Sequence, residues 1–237
     1  MAGKRKKPSL IRRWKNGWIY TDRTAFRWRF NAWFDMLILD HGLIRLFWTN
    51  SEHIADGVWR MNQPDPFRIA RMKKRGIKAI LNLRGETLHS AYLLEREACA
   101  ELGLDLIDVK MESRNLPDLR SIKKLDAIFE TIARPFAFHC KSGADRAGFI
   151  SALYLLLRTD APVGEAKKQL SWKYMHFKRS STGILDFVLD TYAADTAEDP
   201  ISFRDWLETK YNPARLHAAF KSHRAADALV DKVLMRE

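Results

Sequence analysis

The sequence predicts an α/β fold in which a mostly parallel central sheet is flanked by helices. Two observations support this class. From about residue 54 to residue 140, short apolar runs alternate with helical patterns, and strands separated by helices of this length pair in parallel through right-handed crossovers. After residue 140 every pattern is helical. The sequence adds a basic, aromatic N-terminal extension and a helical C-terminal tail to this fold.

The predicted elements follow one another in order along the chain. A short N-terminal helix carries Phe26, Phe30, Trp33 and Leu37 on one face and ends near Gly42. Strands are expected at 57–61, 78–83, 104–111 and 135–139, the last of them buried. Helices are expected at 64–76, 89–102, 119–132, 147–157, 163–177 and 182–192, with two more beginning at 203 and 213.

Composition divides the chain into three parts. Residues 1–50 form the extension, residues 51–195 form the domain that carries the chemistry, and residues 196–237 form the tail. The length of 237 residues and the 46% hydrophobic content fit one sizeable domain with extensions. These values exclude a disordered or fibrous chain.

Positive charge is concentrated at the N-terminus. The net charge is +12, and residues 1–30 hold ten basic side chains against one acid. Five of the eight tryptophans lie within the first 48 residues. A basic aromatic segment is typical of contact with an anionic surface, so residues 1–48 are expected either to reach an anionic membrane surface or to cover one edge of the core. Nucleic acid is not favoured, because the chain beyond residue 30 is close to neutral.

The pattern predicts neither a membrane span nor a signal peptide. The most apolar stretch, residues 33–39, is interrupted by Asp35 and is far shorter than the roughly 20 residues of a spanning helix. Two cysteines, Cys99 and Cys140, do not make a disulfide framework. We therefore expect a cytoplasmic protein, with a peripheral contact at the inner face of the membrane as the role of the basic segment.

One segment, residues 139–146, concentrates the candidate chemistry. A buried strand ends at Cys140, a short loop follows, and a helix begins near Arg146. This arrangement turns loop N–H groups toward one centre and points the positive end of a helix at it, which makes an anion cradle. The same field stabilises a thiolate, so Cys140 is predicted to be a nucleophile. Arg146 offers a planar fork for an oxyanion, and Gly143 permits a tight turn.

The segment His139-Cys140-Lys141-Ser142-Gly143-Ala144-Asp145-Arg146 resembles the His-Cys-x5-Arg signature of the cysteine-dependent protein tyrosine and dual-specificity phosphatases. The resemblance covers about residues 50–193 and implies a phosphomonoesterase that works through a phosphocysteine. It implies that Cys140 attacks phosphorus and that Arg146 stabilises the phosphate oxygens. His139 is implied as a neighbour that tunes the thiolate. No cofactor and no metal are implied. The phosphate-binding loop residues are Lys141, Ser142, Gly143 and Ala144.

Two positions depart from the pattern of these phosphatases. Lipid-directed members carry an aspartate where Ser113 stands, and a serine cannot protonate a leaving group near neutral pH. The candidates for the acid are Asp145, Asp118 and Glu112. Asp145 comes first, because the myotubularin-type and Sac-type phosphatases place an aspartate directly before the arginine. Ala147 stands where a Ser or Thr is usual, which predicts slow breakdown of the phosphocysteine.

Three activities remain open on the sequence. The first is a phosphatase of phosphotyrosine or related phosphomonoesters on proteins. The second is a phosphatase of a phospholipid or inositol phosphate, which the basic N-terminus, Lys141 and Asp145 favour. The third is a phosphate-binding protein with little turnover, which Ser113 and Ala147 favour. Lys178 and Arg179 are further candidates for the rim of the site, whereas Lys167 and Lys168 are expected on a solvated helix face.

Overall fold

A computed structural model describes residues 10–234, apart from the side chains of 12–13 and 226–234. The basic cluster at residues 4–7 therefore lies outside the described residues. Within the described range, the expected α/β architecture is confirmed.

The centre of the molecule is a five-stranded sheet. Its strands are β1 (Glu52–Ala55), β2 (Val58–Asn62), β3 (Ala79–Asn82), β4 (Asp105–Asp108) and β5 (Phe136–Cys140). The strand order is β1-β2-β5-β3-β4. Strands β2, β5, β3 and β4 run parallel, and β1 adds an antiparallel hairpin at one edge. Four strands were predicted near their observed positions, and β1 was not.

Helices cover both faces of the sheet. They are α1 (Leu10–Asn16), α2 (Phe26–Phe34), α3 (Gly42–Phe47), α4 (Pro66–Lys74), α5 (Ser90–Leu102), α6 (Leu119–Thr131), α7 (Asp145–Arg158), α8 (Val163–Lys167), α9 (Ile184–Asp195), α10 (Phe203–Thr209) and α11 (Pro213–Leu234). A π-helical turn, Asp35–Leu39, follows α2. The helix expected over 163–177 is wrong beyond Lys167. There the chain turns, with Met175 at a φ of 58°, and buries Tyr174 and His176.

Side chains alternate between the two faces of the sheet along β5, which ends in the candidate residues His139 and Cys140. Phe136, Phe138 and Cys140 belong to the core beneath α6 and α7, whereas Ala137 packs toward α4 and α5. His139 has the parity of Ala137 and contacts Glu95 of α5. Because successive side chains of a strand point to opposite faces, the thiol and the imidazole lie on opposite sides of the sheet.

The N-terminal segment packs against α5. Trp18 and Trp28 are buried in a cluster with Leu94 of α5. Asp35, also buried, lies 2.7 Å from Lys15 Nζ and accepts a hydrogen bond from the hydroxyl of a serine at the start of α5. Part of the aromatic segment therefore covers an edge of the core, which is one of the two roles expected for residues 1–48.

The C-terminal tail packs against the other side of the domain. Trp206 of α10 is fully buried, and its Nε1 donates to Asp195 Oδ2 at 2.7 Å. Tyr211, between α10 and α11, donates its hydroxyl hydrogen to the Pro117 carbonyl at 2.7 Å. Through Pro117 the tail contacts the loop that joins β4 to α6, which is the loop expected to bear the acid.

Candidate active site

The predicted cradle lies at the carboxyl end of β5. Cys140 ends the strand, residues 141–144 form the loop, and α7 begins at Asp145. Crevices at this edge of a parallel sheet, next to helix N-termini, are the usual ligand sites of open α/β folds. The structure therefore brings the strand end, the loop and the helix start together as the sequence predicted.

Backbone carbonyls of the loop are held by donors that lie outside it. The hydrogen bonds run from Gln63 N–H to Lys141 O (3.3 Å), from Asn50 Nδ2 to Ser142 O (3.0 Å), and from Arg60 Nη2 to Gly143 O (2.5 Å) and Ala144 O (3.4 Å). A carbonyl that is held outward orients the peptide so that the neighbouring N–H group faces the other way. The loop is thus built as a nest for an anion, reinforced by the unsatisfied N–H groups at the start of α7.

Arg60 is the most unusual side chain of this arrangement. It is fully buried, lies 3.7 Å from the centroid of the Tyr174 ring, and donates to the backbone and side-chain oxygens of Gln169 at 2.7 and 2.8 Å. Burial lowers the pKa of Arg60 to about 10, so the guanidinium remains charged at neutral pH. Arg60 was not among the predicted site residues, although a charged residue in the middle of a buried strand is itself a signal.

Gly143 occupies a position that other residues would not fit. Its φ is +75°, in the left-handed region. A Cβ there would lie 2.8 Å from Asn62 N and 2.9 Å from the carbonyl carbon of Met61. The loop therefore needs glycine both for its backbone angle and for its close approach to the end of β2.

Arg146 closes the cradle on the side of β3. Its Nη1 lies 3.5 Å from the carbonyl oxygens of Leu83 and Met111. Leu83 follows β3, and Met111 begins the loop that leads to α6. The guanidinium thereby fixes this loop, which contains Ser113, against the first turn of α7.

Ser142 of the loop and Ala147 of α7 bear on the breakdown of a phosphocysteine. Ser142 Oγ accepts a hydrogen bond from the N–H of Ala144 at 3.4 Å. Ala147 is fully buried against the core. The hydroxyl of Ser142 is thus directed at the loop backbone, and no hydroxyl stands at position 147.

His139 lies beneath the cradle and not inside it. Its Nε2 lies 2.6 Å from Glu95 Oε1, and both side chains are fully buried. Its Nδ1 lies 3.3 Å from the Cys140 carbonyl oxygen. Glu95 in turn accepts a hydrogen bond from Gln63 Nε2 at 2.6 Å. His139 therefore contacts the backbone of the nucleophile and ties β5 to α5 and to Gln63, whose N–H holds the loop.

Lys141 is paired with a residue of the N-terminal segment. Its Nζ lies 3.0 Å from Asp40 Oδ1, and Asp40 also contacts Arg45 at 3.0 Å and Arg84 at 3.1 Å. Burial opposes the charge of Asp40, but Arg84, Arg45 and Lys141 outweigh it and lower its pKa to about 2. Residues 40–50 therefore form one wall of the site, through Asp40 and through Asn50.

Asp145 belongs to a chain of three charged groups whose central member, His176, is fully buried. His176 Nδ1 lies 2.7 Å from Asp145 Oδ1, and His176 Nε2 lies 2.6 Å from Asp186 Oδ2. Burial disfavours the imidazolium, but the hydrogen bonds to Asp145 and Asp186 outweigh burial and raise the pKa of His176 to about 9. The imidazole is thus a cation that bridges two carboxylates at neutral pH. Asp186 interrupts an apolar helix in the sequence, which is the signal that could have found it.

The other two acid candidates have different surroundings. Asp118 is exposed and caps α6, where its carboxylate accepts a hydrogen bond from Ser121 N–H at 2.8 Å. Hydrogen bonds from the Ser121 hydroxyl and N–H lower the pKa of Asp118. Glu112 is exposed and accepts a hydrogen bond from Asn115. Both carboxylates therefore have partners within their own loop, and only Asp145 lies within the cradle segment.

Of the two rim candidates, Lys178 and Arg179, the first forms a surface ion pair, as do Lys167 and Lys168, which were expected on a solvated helix face. Lys178 Nζ lies 2.7 Å from Asp190 Oδ2, and Lys167 pairs with the same carboxylate. Lys168 pairs with Glu165 at 2.5 Å. Within residues 10–234, no three His, Cys, Asp or Glu side chains gather in a group that could hold a metal ion.

The family of the chain follows from a match over more than half of its length. Residues 48–183 match the model of a family described as a DSP-PTPase phosphatase fused to NAD+ kinase. The chain belongs to this family. It is therefore a phosphatase of the dual-specificity and protein tyrosine superfamily, and the resemblance noted in the sequence is confirmed. No curated protein sequence matches the chain.

Solved structures with similar folds have low sequence identity to this phosphatase. A putative phosphatase from Shewanella putrefaciens has a TM-score of 0.51 and 16% identity, over 62% of this chain and 90% of that one. TpbA of P. aeruginosa has a TM-score of 0.48 and 14% identity, over 63% and 92%. The catalytic core of the PP-IP phosphatase SIW14 from S. cerevisiae has a TM-score of 0.47 and 18% identity, over 65% and 96%. The first of these supports the fold.

The bridge at His176 makes the stability of the phosphatase depend on pH. A pKa raised from 6.5 to about 9 contributes stability that is complete below about pH 6.5 and is lost as the pH rises through about 9. We expect the free energy of unfolding, measured by urea denaturation, to fall by about 2–3 kcal/mol over this interval. His176→Gln should remove most of this fall, whereas the exposed His53→Gln should keep it. An unchanged pH slope in His176→Gln would contradict the bridge.

Proposed function

We propose that this phosphatase hydrolyses phosphomonoesters through a phosphocysteine on Cys140. The thiolate attacks phosphorus, the bond to the leaving oxygen breaks, and water then cleaves the phosphorus–sulfur bond to release inorganic phosphate and the thiolate. The observation that carries the proposal is the outward attachment of the loop carbonyls, because it leaves the loop N–H groups for the phosphate oxygens. Amides fixed before the reaction stabilise charge without reorganising.

Arg146 and the loop have separate parts in this proposal. The fork of Arg146 and the N–H groups of residues 141–146, apart from that of Ala144, which donates to Ser142 Oγ, bind the equatorial oxygens of the transferring group. Arg60, Asn50 and Gln63 are positioning residues, because they contact the loop backbone from outside. His139 is likewise proposed as a positioning residue that acts through the Cys140 carbonyl.

We propose Asp145 as the acid and base of the reaction. Its side chain is partly exposed, and one of its oxygens contacts His176. The imidazolium of His176 lies at hydrogen-bond distance from Asp145 Oδ1 and is the proton source that we propose for this carboxylate. Asp145 passes the proton from His176 to the leaving oxygen. In the second step it accepts a proton from the attacking water.

The phosphocysteine can be detected directly. We expect wild-type protein, quenched in acid during turnover of an aryl phosphate, to carry one phosphoryl group on the peptide that contains Cys140, as measured by mass spectrometry. Ala147 predicts a burst of product before a slower steady state. Cys140→Ser should abolish both signals and all phosphate release from aryl phosphate and from a phosphotyrosine peptide. Cys99→Ser is the matched control and should keep full activity; release that survives in Cys140→Ser would refute the mechanism.

The role of Asp145 can be tested with leaving groups of different basicity. Asp145→Asn should lower kcat/KM, which reports formation of the phosphocysteine and not its breakdown, by about a hundredfold for an alkyl phosphate, because its leaving alkoxide needs a proton. The same variant should slow an aryl phosphate by less than about fivefold, since a phenolate departs without one. Asp118→Asn, which removes this carboxylate but keeps a side chain that can cap α6, should not change this ratio. Equal losses on both substrates in Asp145→Asn would assign Asp145 a structural role.

A second candidate function is hydrolysis of a phosphate carried by a lipid, which an exposed apolar surface favours. Phe26, Phe30, Phe34 and Ile38 recur at every fourth position and are 83%, 61%, 43% and 44% exposed. We call these residues, with the exposed residues of α3, the apolar surface; the α3 members are Leu43, Ile44, Leu46 and Phe47. Large apolar side chains exposed in such number are typical of a surface that contacts a partner or a membrane.

The apolar surface borders the candidate site. Its two halves flank Asp40, which contacts Lys141 of the cradle, and Phe47 precedes Asn50, which contacts the loop carbonyl of Ser142. Exposed basic side chains, Arg23 and Arg27, accompany it. This combination suits a peripheral contact with an anionic bilayer at the cytoplasmic face. Within residues 10–234, no helix has the length and apolar character needed to cross a membrane.

Sedimentation with vesicles tests this second candidate. We expect the phosphatase to sediment with phosphatidylglycerol vesicles and not with phosphatidylcholine vesicles. Replacing Phe30 and Phe47 together by serine should weaken binding by about tenfold or more, because each buried aromatic contributes a few kcal/mol. Trp172→Ser, which changes an exposed aromatic elsewhere, is the control and should bind as wild type does. Equal sedimentation of the double variant would reject the apolar surface as the contact.

A further inference from the structure

A basic cleft lies where the tail meets the catalytic domain. Its walls are the loop between β4 and α6, the start of α9, and α11, and its volume is about 380 Å³. The side chains that matter here are Ile184 and Phe220 on its apolar side and Arg114, His217, Lys221 and Arg224 on its polar side. No acidic side chain lines it among the residues that the structure describes.

Among the side chains that the structure describes, no carboxylate forms an ion pair with Arg114, Lys221 or Arg224. The described ion pairs do not include Arg114 or Lys221, although most lysines after the cradle do have such partners. Arg224 lies with its guanidinium carbon 5.9 Å from the centroid of the Phe220 ring. His217 accepts a hydrogen bond from Leu116 N–H at its Nε2, at 3.3 Å. The cleft therefore presents fixed positive charge beside an apolar wall.

Two walls of the cleft, the loop between β4 and α6 and the start of α9, are connected to the cradle by short stretches of chain. Arg114 is three residues from Met111, whose carbonyl contacts Arg146, and three residues of chain span at most about 11 Å. Ile184 is two residues from Asp186, which reaches Asp145 through His176. The cleft and the cradle are thus connected through two short series of contacts.

We infer that this cleft is a second phosphate subsite, which binds a non-reacting phosphate group of a substrate that carries at least two. The inference rests on the proposed function for the identity of the reacting phosphate. Arginine forks and a lysine suit the oxygens of a dianion. Two of the cations, Lys221 and Arg224, belong to α11, which lies beyond the matched residues 48–183. The subsite would thus be a feature that the tail adds to the catalytic domain.

Binding to Cys140→Ser tests the subsite without turnover. The probes are bisphosphates of linear diols, from butanediol to dodecanediol, each compared by calorimetry with its monophosphate. We expect at least one spacing to bind about tenfold more tightly than its monophosphate. The added changes Arg114→Gln and Lys221→Gln should remove this preference and leave monophosphate affinity unchanged. Arg215→Gln, also on α11 but outside the cleft, should keep the preference.

A vesicle arm separates lipid from free phosphate as the source. Cys140→Ser should bind vesicles with a phosphatidylinositol bisphosphate more tightly than phosphatidylglycerol vesicles of equal charge if the second phosphate is on a lipid. If it is on a free molecule, only the diol bisphosphates will reveal the preference. Either response, lost with Arg114→Gln and Lys221→Gln, supports the subsite. Thermal unfolding of each variant checks that the fold is retained.

The inference is overturned if bisphosphates and monophosphates bind alike at every spacing and the vesicles show no difference. It is also overturned if the preference survives the loss of Arg114 and Lys221. Failure of the proposed function is a separate result. In that case the bisphosphate preference would stand, but wild-type protein would release no phosphate from any probe.

Discussion

Arg60 carries a positive charge into the interior of the domain, and the geometry of the cradle depends on it. Removing an ionised group from water is costly unless its donors are satisfied. Here the guanidinium finds the carbonyls of Gly143 and Ala144, both oxygens of Gln169 and the face of Tyr174. The same bonds that stabilise the buried charge turn the loop carbonyls away from the anion site. Loss of Arg60 would therefore leave buried carbonyls unpaired and free the loop to rotate.

The extensions of the chain complete this arrangement from two sides. Asn50 of the N-terminal segment holds the loop at Ser142, and Asp40 holds Lys141. On the opposite side, Tyr211 and His217 of the tail bind the backbone of the loop that Arg146 contacts. From the sequence, the N-terminal segment was expected to have no part in the active site, but residues 40–50 contact the cradle. Charge counted along the chain does not reveal such contacts, because they join positions far apart in sequence.

The parts of the site that could be predicted from the sequence are those whose conformation depends on neighbouring residues. The strand, turn and helix around Cys140 are contiguous, and their apolar pattern and glycine fix them locally. The supporting residues are not contiguous: Arg60 precedes the loop by some eighty positions, and His176 follows Asp145 by about thirty. His176 also explains the failed helix beyond Lys167, since a continuous helix would not bury Tyr174 and His176 beneath the loop. In this segment the burial of Tyr174 against Arg60 and of His176 beside Asp145 outweighs helical propensity.

In the proposals above, the matched domain and the two extensions contact different parts of the substrate. In the proposed function the cradle would bind any phosphate dianion, because backbone N–H groups and one arginine fork do not contact the rest of a substrate. Discrimination must then come from surfaces around the cradle. On one side these are the apolar residues that flank Asp40, and on the other they are the cations around His217. If both proposals hold, the complementary substrate is an anionic amphiphile with more than one phosphate, since a phosphotyrosine side chain would engage neither surface.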